Sequence, residues 1–265
     1  MVVIFDLDGV VYLGNTPLPD AIEALNALAE VGHEVYFLTN NSTRSRPAYV
    51  DRLGTMGFAT RADHVITSAF ATGLYLQSLG AQGSRVLVVG EEGLAEEMAA
   101  AGMEVVPYED PEPVQYVVAG LDRRLTYAKL QRAHREITER GAAFIATNQD
   151  ATYPHEAGEI PGGGAIVAPI AYSTGVTPVT IGKPEPHAWR RILGLCGAPP
   201  EQALMVGDRA ETDIRGARSL GIHTALVLTG VTRPSALPGL PPEHRPDYVI
   251  HSLAEVPAIA GRLAQ

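Results

Sequence analysis

Two aspartates stand two residues apart at the end of an apolar run, in Val2-Val3-Ile4-Phe5-Asp6-Leu7-Asp8-Gly9. Side chains alternate in an extended segment, so Asp6 and Asp8 face the same side. Like charges that close resist joint ionisation, and a divalent cation relieves the conflict. Oxygen-only ligands suit Mg²⁺, which also draws in phosphate oxygens. The competing reading is an ordinary turn, because Asp-Gly pairs are common there.

Three later stretches carry matching chemistry. Leu38-Thr39-Asn40-Asn41-Ser42 follows a second apolar run and precedes a helix-prone segment. A hydroxyl and the backbone N–H groups of such a turn make an anion cradle, although Ser, Thr and Asn also serve as plain helix caps. Ile181-Gly182-Lys183-Pro184 places a lysine at a strand tip, where an ammonium neutralises phosphate oxygens or a nearby carboxylate. Only two lysines occur, Lys129 and Lys183, which argues for chemistry at Lys183. Lys129 lies in an amphipathic helical stretch and reads as ordinary surface. Met205-Val206-Gly207-Asp208-Arg209 puts Asp208 directly after Gly207 at another strand end, as a candidate metal ligand. Asp213, shortly beyond, reads as a helix cap or as support for the ligands.

Strand-like and helix-like segments alternate along the chain and must position these groups. A buried strand over 2–5, a helix over 21–30 with Asp20 as its N-cap, a strand over 34–38 and helices over 47–56 and about 68–79 come first. A second series begins at Arg85, with strands over 85–90, 116–119 and 142–146, and helix-prone sequence to about 101, over 127–140 and from about 163 to 172. The first pattern resumes at Val179-Thr180-Ile181, with a helix over 186–195, strands over 203–206, 224–228 and 248–250, and a helix over 213–220. Continuous apolar strands separated by helices mean a parallel sheet covered on both faces. The expectation is an α/β protein: a doubly wound parallel-sheet core over 1–80 and 179–265, with an inserted α/β domain over 81–178. The chain would cross between them near 80–84 and 173–177. All four chemical stretches fall at carboxyl ends of strands, the edge where open α/β sheets bind ligands.

Bulk properties narrow the choice. With 46% hydrophobic and 19% charged residues the chain is an ordinary globular protein. A net charge of −10 with no basic tract argues against nucleic acid as partner, and requires any phosphate site to be built locally. The single cysteine, Cys196, excludes an internal disulfide and fits a reducing compartment. No basic leader precedes the first strand, and no apolar run approaches the about 20 residues of a membrane span. A soluble, cytoplasmic protein is expected.

Taken together, the motifs resemble the haloacid dehalogenase superfamily, specifically its phosphatase branch. The matching residues are Asp6-Leu7-Asp8-Gly9-Val10, Leu38-Thr39-Asn40, Lys183-Pro184 and Gly207-Asp208 through Asp213. Within it, the chain looks like the NagD, 4-nitrophenylphosphatase and pyridoxal phosphatase group. That likeness rests on Thr39-Asn40-Asn41-Ser42, Gly120-Leu121-Asp122-Arg123, and Gly207-Asp208-Arg209 with Thr212-Asp213-Ile214. The resemblance implies that Asp6 is a nucleophile forming an aspartyl-phosphate, and Asp8 a general acid and base. It implies Mg²⁺ held by Asp6, the Asp8 main-chain carbonyl and Asp208, with Thr39, Asn40 and Lys183 on the phosphate oxygens. The family's dehalogenases lack an acid at the second position, so Asp8 points to phosphate esters.

The resemblance also implies that the insertion is a cap that selects substrate and excludes water. Thr147-Asn148-Gln149-Asp150 looks like the group's specificity loop, with Asn148 and Asp150 as candidate contacts, against the alternative of a plain turn. Gly162-Gly163-Gly164 either admits substrate close to the backbone or packs tightly without one. Sugar phosphates, nucleotides, pyridoxal phosphate and phosphoglycolate all stay open as the small phosphorylated substrate. Caps of such proteins often dimerise, so a homodimer is a further implication.

Rival chemistries find less support. Val86-Val88-Gly90 followed by Gly93 imitates a dinucleotide turn, but the third glycine is misplaced, and there is no P-loop. The eight histidines show no zinc spacing, and the nucleophile elbow of serine hydrolases is absent. A phosphonate-cleaving relative needs a Schiff-base lysine, and Lys129 is the insertion's sole candidate. The non-enzyme alternative is a silent binding or assembly module on the same fold. Retention of every reacting group speaks against it.

Overall fold

The computed structural model describes residues 1–155 and 158–265. Strand β1 (Val2–Phe5) is apolar on both faces and buried, which places it inside a covered sheet. The hairpin β2 (Tyr12–Leu13) and β3 (Thr16–Pro17) follows, then α1 (Ala21–Glu30), β4 (Glu34–Thr39), α2 (Arg46–Thr55), β5 (Val65–Thr67) and α3 (Ser68–Ser78). The next series holds β6 (Arg85–Val89), α4 (Glu92–Ala100), β7 (Glu104–Val106), β8 (Tyr116–Ala119), α5 (Tyr127–Thr138) and β9 (Ala143–Ala146). A hairpin of β10 (Thr152–His155) and β11 (Gly158–Pro161) leads to α6 (Gly164–Thr174) and β12 (Val179–Thr180). The chain closes with α7 (His187–Cys196), β13 (Ala203–Gly207), α8 (Arg215–Arg218), β14 (His223–Val227), β15 (Tyr248–Ile250) and α9 (Val256–Leu263).

Two parallel sheets result. The larger runs β15-β14-β13-β1-β4-β5 and the smaller β12-β9-β8-β6-β7. In the larger, Phe5 of β1 pairs with Val206 of β13 and Phe37 of β4, so the carboxyl ends of these strands lie side by side. The chain reverses its winding direction across β1, and that switch point opens a crevice at the strand ends. This is the α/β architecture expected from the apolar runs.

Four local expectations are corrected. Val179 and Thr180 pair with Ile145 and Ala146 of β9, so they finish the smaller sheet instead of resuming the core. The return crossing thus falls at Ile181-Gly182, not within 173–177, and Ile181 is the first residue buried back in the core. A two-residue strand carries too little pattern to declare its sheet. Asp20 occupies the N-cap position of α1 but makes no cap bond; its φ of 62° turns it away, and it accepts from Ser252 Oγ at 2.8 Å. The helix expected over 213–220 divides into a wide turn over Ala210–Ile214 and the short α8. The hairpin of β10 and β11 was not foreseen, because Pro154 interrupts any strand-like alternation.

The two sheets share a core. Ile66, Ala69, Leu76 and Trp189 of the larger layer pack in one buried cluster with Val86, Leu94, Met98 and Ile145 of the insertion. An ion pair crosses the same seam: Arg46 Nε lies 3.1 Å from Glu97 Oε1, and the Arg46 backbone N–H donates to that oxygen at 2.9 Å. Arg46 also stacks 3.5 Å over the Phe70 ring. Glu97 is only 4% exposed, so removing its partner or its charge is costly. Glu97→Ala is expected to lower unfolding free energy by about 3 kcal/mol, read by urea denaturation; the lower end of the buried-pair range applies because Arg46 is partly solvated. A loss below about 0.5 kcal/mol, the level of a solvated pair, would show that this link does not hold the seam.

Candidate active site

The crevice is furnished from the strand tips. Asp6 follows β1, and its backbone N–H continues the ladder to Val206 O at 2.9 Å. Thr39 ends β4, Asp208 follows β13, and Lys183 arrives three residues after β12. Gly9 makes the turn behind Asp6 with a φ of +86°, and a Cβ there would lie 2.9 Å from Asp208 Oδ2. Gly230 on the facing loop is equally constrained, since the Asp208 carboxylate fills the place of its Cβ.

Lys183 sits at the centre, 3% exposed. Its Nζ lies 2.8 Å from Asp6 Oδ1 and 2.6 Å from Asp213 Oδ1, and it donates to Leu38 O at 3.1 Å. Three partners match the three ammonium protons. Burial alone would pull this amine down, but Asp213 and Asp6 outweigh it and hold it above its ordinary range. Asp6, Asp208 and Asp213 each bring an oxygen within 4.8 Å of the others. One ammonium cannot balance three carboxylates. Burial, reinforced by the neighbouring acids and opposed by Lys183, pushes the Asp6 carboxyl well up. Burial and then Asp213 raise Asp208.

The missing positive charge has an obvious place. Asp208 Oδ2 accepts from Val231 N at 2.7 Å, whereas its buried Oδ1 has no hydrogen-bond partner among the described residues. Asp213 is committed elsewhere, with Oδ1 on Lys183 and Oδ2 on Arg209 N at 3.0 Å. Asp6 and Asp208 are the acids that could hold a cation here, and an all-oxygen set fits a hard ion such as Mg²⁺. Asp213, inside the wide turn, holds Lys183 Nζ with one oxygen and the Arg209 N–H with the other.

The remaining expected residues lie around the same cleft. Thr39 Oγ1 accepts from Asn41 N at 3.1 Å. The Asn40 side chain is spent on structure: its Oδ1 accepts from Lys183 N at 2.8 Å, and its Nδ2 donates to Lys183 O at 3.0 Å and to both Asp150 oxygens at 3.2 and 3.0 Å. Its side chain thus holds Lys183 in place, and the residue lines the cleft. Asn148 Nδ2 donates to Asn40 O at 2.7 Å, and Asp150 N to Asn148 Oδ1 at 3.2 Å. Both insertion residues thus line the cleft. Burial raises the Asp150 carboxyl, with Arg209 acting against it. A Cβ on Gly163 would lie 2.5 Å from Asn148 Oδ1, so the glycine run serves close packing against this loop.

Asp8 lies half-buried at the rim, 3.5 Å from Asn41 Nδ2. Burial raises its carboxyl, and Arg52 foremost opposes the rise. The cleft, open to solvent with a cavity volume of about 40 Å³, is lined by Asp6, Asp8, Thr39, Lys183, Asp150 and Tyr153 among others. Lys129 is remote in role: its Nζ is paired with Asp122 Oδ2 at 2.7 Å. Sequence reasoning missed Arg209, whose Nη2 donates to Thr152 O at 2.5 Å and ties β10 to the loop after Asp208. It also missed Val231, which contributes only a backbone N–H and leaves no signal in side-chain types.

Added Mg²⁺ is expected to raise the melting temperature of the wild-type protein, by linkage of about 2.7 kcal/mol at a hundredfold excess over Kd. Asp208→Asn should abolish most of that rise. A wild-type melting temperature indifferent to Mg²⁺ in thermal denaturation would show that these acids do not hold it.

The chain matches the family model for haloacid dehalogenase-like hydrolases over residues 3–104 and a second, HAD-hydrolase-like, model over residues 180–256. It is 39% identical over 229 residues to an acid sugar phosphatase of Staphylococcus saprophyticus, covering 86% of each. It superposes on the crystal structure of a 4-nitrophenylphosphatase from Thermotoga maritima with a TM-score of 0.88 and 34% identity, over 97% of this chain and 96% of that one. A glycerol phosphate phosphatase from Mycobacterium tuberculosis, in complex with magnesium, matches with a TM-score of 0.86 and 36% identity, over 96% of this chain and 75% of that one. By this likeness along nearly its whole length, the chain belongs to the haloacid dehalogenase-like hydrolases, in the branch of the NagD and 4-nitrophenylphosphatase proteins, and is a phosphoric monoester hydrolase.

Proposed function

We propose that the protein hydrolyses small-molecule phosphate monoesters through a phosphorylated Asp6, with Asp8 as acid and base and Mg²⁺ as cofactor. The observation that carries this reading is the Lys183 ammonium, 2.8 Å from Asp6 Oδ1 at the crevice where β1, β4 and β13 end. The Asp6 carboxylate attacks phosphorus, and the bond from phosphorus to the ester oxygen breaks. Asp8 gives its proton to that departing oxygen. The Asp8 carboxylate then takes a proton from water as the water attacks the acyl phosphate, which releases inorganic phosphate and restores Asp6. Lys183 and Thr39 bind the transferring oxygens, and the buried ammonium cancels part of their charge. When bound by Asp6 and Asp208, with the Asp8 main-chain carbonyl, Mg²⁺ supplies the remaining charge cancellation.

The reading draws support from several sides. Burial raises the Asp8 carboxyl, which suits a group that must hold a proton before giving it up. The insertion brings Asn148 and Asp150 to the cleft mouth, where a cap would select the substrate and exclude water. Relatives named acid sugar phosphatase and glycerol phosphate phosphatase fit a small alcohol phosphate as substrate. The silent-module alternative would tolerate loss of reacting groups, yet Asp6, Asp8, Lys183 and Asp208 all remain. No helix among the described residues is long and apolar enough to cross a membrane.

Phosphate release from 4-nitrophenyl phosphate, with and without Mg²⁺, tests the reading. Asp6→Asn should cut turnover by at least about a thousandfold, as loss of a nucleophile does, while circular dichroism and melting temperature stay near wild type. Asp8→Asn should cost about 10²- to 10⁴-fold on an alkyl phosphate. Its penalty on 4-nitrophenyl phosphate should be smaller, since that phenolate departs without a proton. Substantial activity in the Asp6 variant would exclude covalent catalysis at this position.

A further inference from the structure

Behind Asp8 lies a second, open cavity of about 190 Å³, lined by Arg44, Arg52 and Arg123. It shares Asp8, Asn41, Tyr153 and Pro154 with the catalytic cleft, so the two spaces meet at the group that faces the leaving oxygen. Among its described lining residues Asp8 is the sole carboxylate. On a chain of net charge −10, such a concentration of arginine is a local reversal of sign.

The arginines differ in how far they are already satisfied. Arg123 is neutralised, with its Nη2 2.6 Å and its Nε 2.7 Å from the Glu91 carboxylate. Arg44 is exposed and forms no ion pair among the described residues. Arg52 stacks its guanidinium 3.9 Å over the Tyr12 ring and donates through Nη2 to Gly14 O. Its Nε is buried without an acceptor, and it forms no ion pair among the described residues. On the opposite wall of the cleft Asp150 has the opposing charge of Arg209 nearby, so that side is balanced. In the second cavity the one carboxylate among the described lining residues, Asp8, faces both Arg52 and Arg44, so an excess of positive charge remains there, and guanidinium forks match carboxylate and phosphate oxygens in pairs.

We propose that this cavity is a second anion subsite, and that the preferred substrate is a phosphate monoester whose alcohol half carries a further carboxylate or phosphate held by Arg44 and Arg52. The assignment rests on the hydrolase reading above for the placement of the ester oxygen at Asp8. With the phosphate on Lys183 and the ester oxygen on Asp8, a short alcohol chain extends into the arginine-lined space. Both anionic groups then meet cations, and neither faces Asp150.

The test compares three near-isosteric esters: 2-hydroxyethyl phosphate, phosphoglycolate and ethane-1,2-diol bisphosphate. In wild-type protein with Mg²⁺, kcat/KM for at least one charged ester should exceed that for the neutral ester by about 10- to 100-fold, the worth of one charge-assisted hydrogen bond. The ester with the larger advantage tells whether carboxylate or phosphate is the second group. In Arg44→Met and Arg52→Met the advantage should fall below about 3-fold; Arg44 is exposed, so its variant keeps the fold. Equal efficiency on all three esters in wild type, or an advantage that survives in both variants, overturns the subsite and leaves the hydrolase reading intact. Should no ester be hydrolysed, the hydrolase reading falls, and calorimetric binding of the same three to the Asp6→Asn protein decides the subsite. Charged esters binding about tenfold tighter uphold it, and equal affinities overturn it.

Discussion

The Lys183 ammonium, buried between Asp6 and Asp213 at 2.8 and 2.6 Å, is the contact on which the site depends. Carboxylates removed from water are costly unless paired. Here three of them share one crevice with a single ammonium. The pairing makes the cluster tolerable without making it neutral. The excess negative charge that remains suits a hard divalent cation. Stability and the proposed function are thereby linked, because the acids that burden the crevice are those the proposed reaction uses.

Lys183 is held by backbone as well as by charge. Asn40 binds both its N–H and its C=O, while Asn148 binds the carbonyl of Asn40. One asparagine at the tip of β4 therefore clamps the segment that returns from the insertion, and the loop of Asn148 and Asp150 is fastened to the same point. Arg209 adds a second tie, from the loop after Asp208 to Thr152 of the hairpin. The insertion is thus positioned against the crevice by the catalytic loops themselves, and the shared apolar cluster with its Arg46–Glu97 pair supports it from behind.

Charge is laid out unevenly over the molecule. The overall excess is acidic, yet the crevice and the cavity beyond Asp8 concentrate Lys183, Arg209, Arg44 and Arg52. Long-range repulsion of anionic ligands is offset by cations that act only within a few ångström, where desolvation strengthens them.

Much of this was legible in the amino-acid order. Apolar runs mark β1, β4 and β13, and a polar group that directly follows such a run must stand at a sheet edge. Asp6, Asp8, Thr39 and Asp208 fall together on that ground, whereas Lys183 reaches the same crevice from the end of β12 in the smaller sheet. Their types carry the chemistry, since acids, a hydroxyl and an amine are what a metal and a phosphate require. The role of Asn40 was not legible, because its partners lie 110 and 143 residues away and both helix capping and anion binding suit an asparagine. The sheet of Val179 and Thr180 was equally hidden, since two residues carry no period. The support of Asp208 by Val231, and the facing of Arg44 and Arg52 toward Asp8, arise only from packing. Local pattern reports which face a residue takes on its own strand or helix, whereas the approach of distant segments is set by the closed tertiary structure.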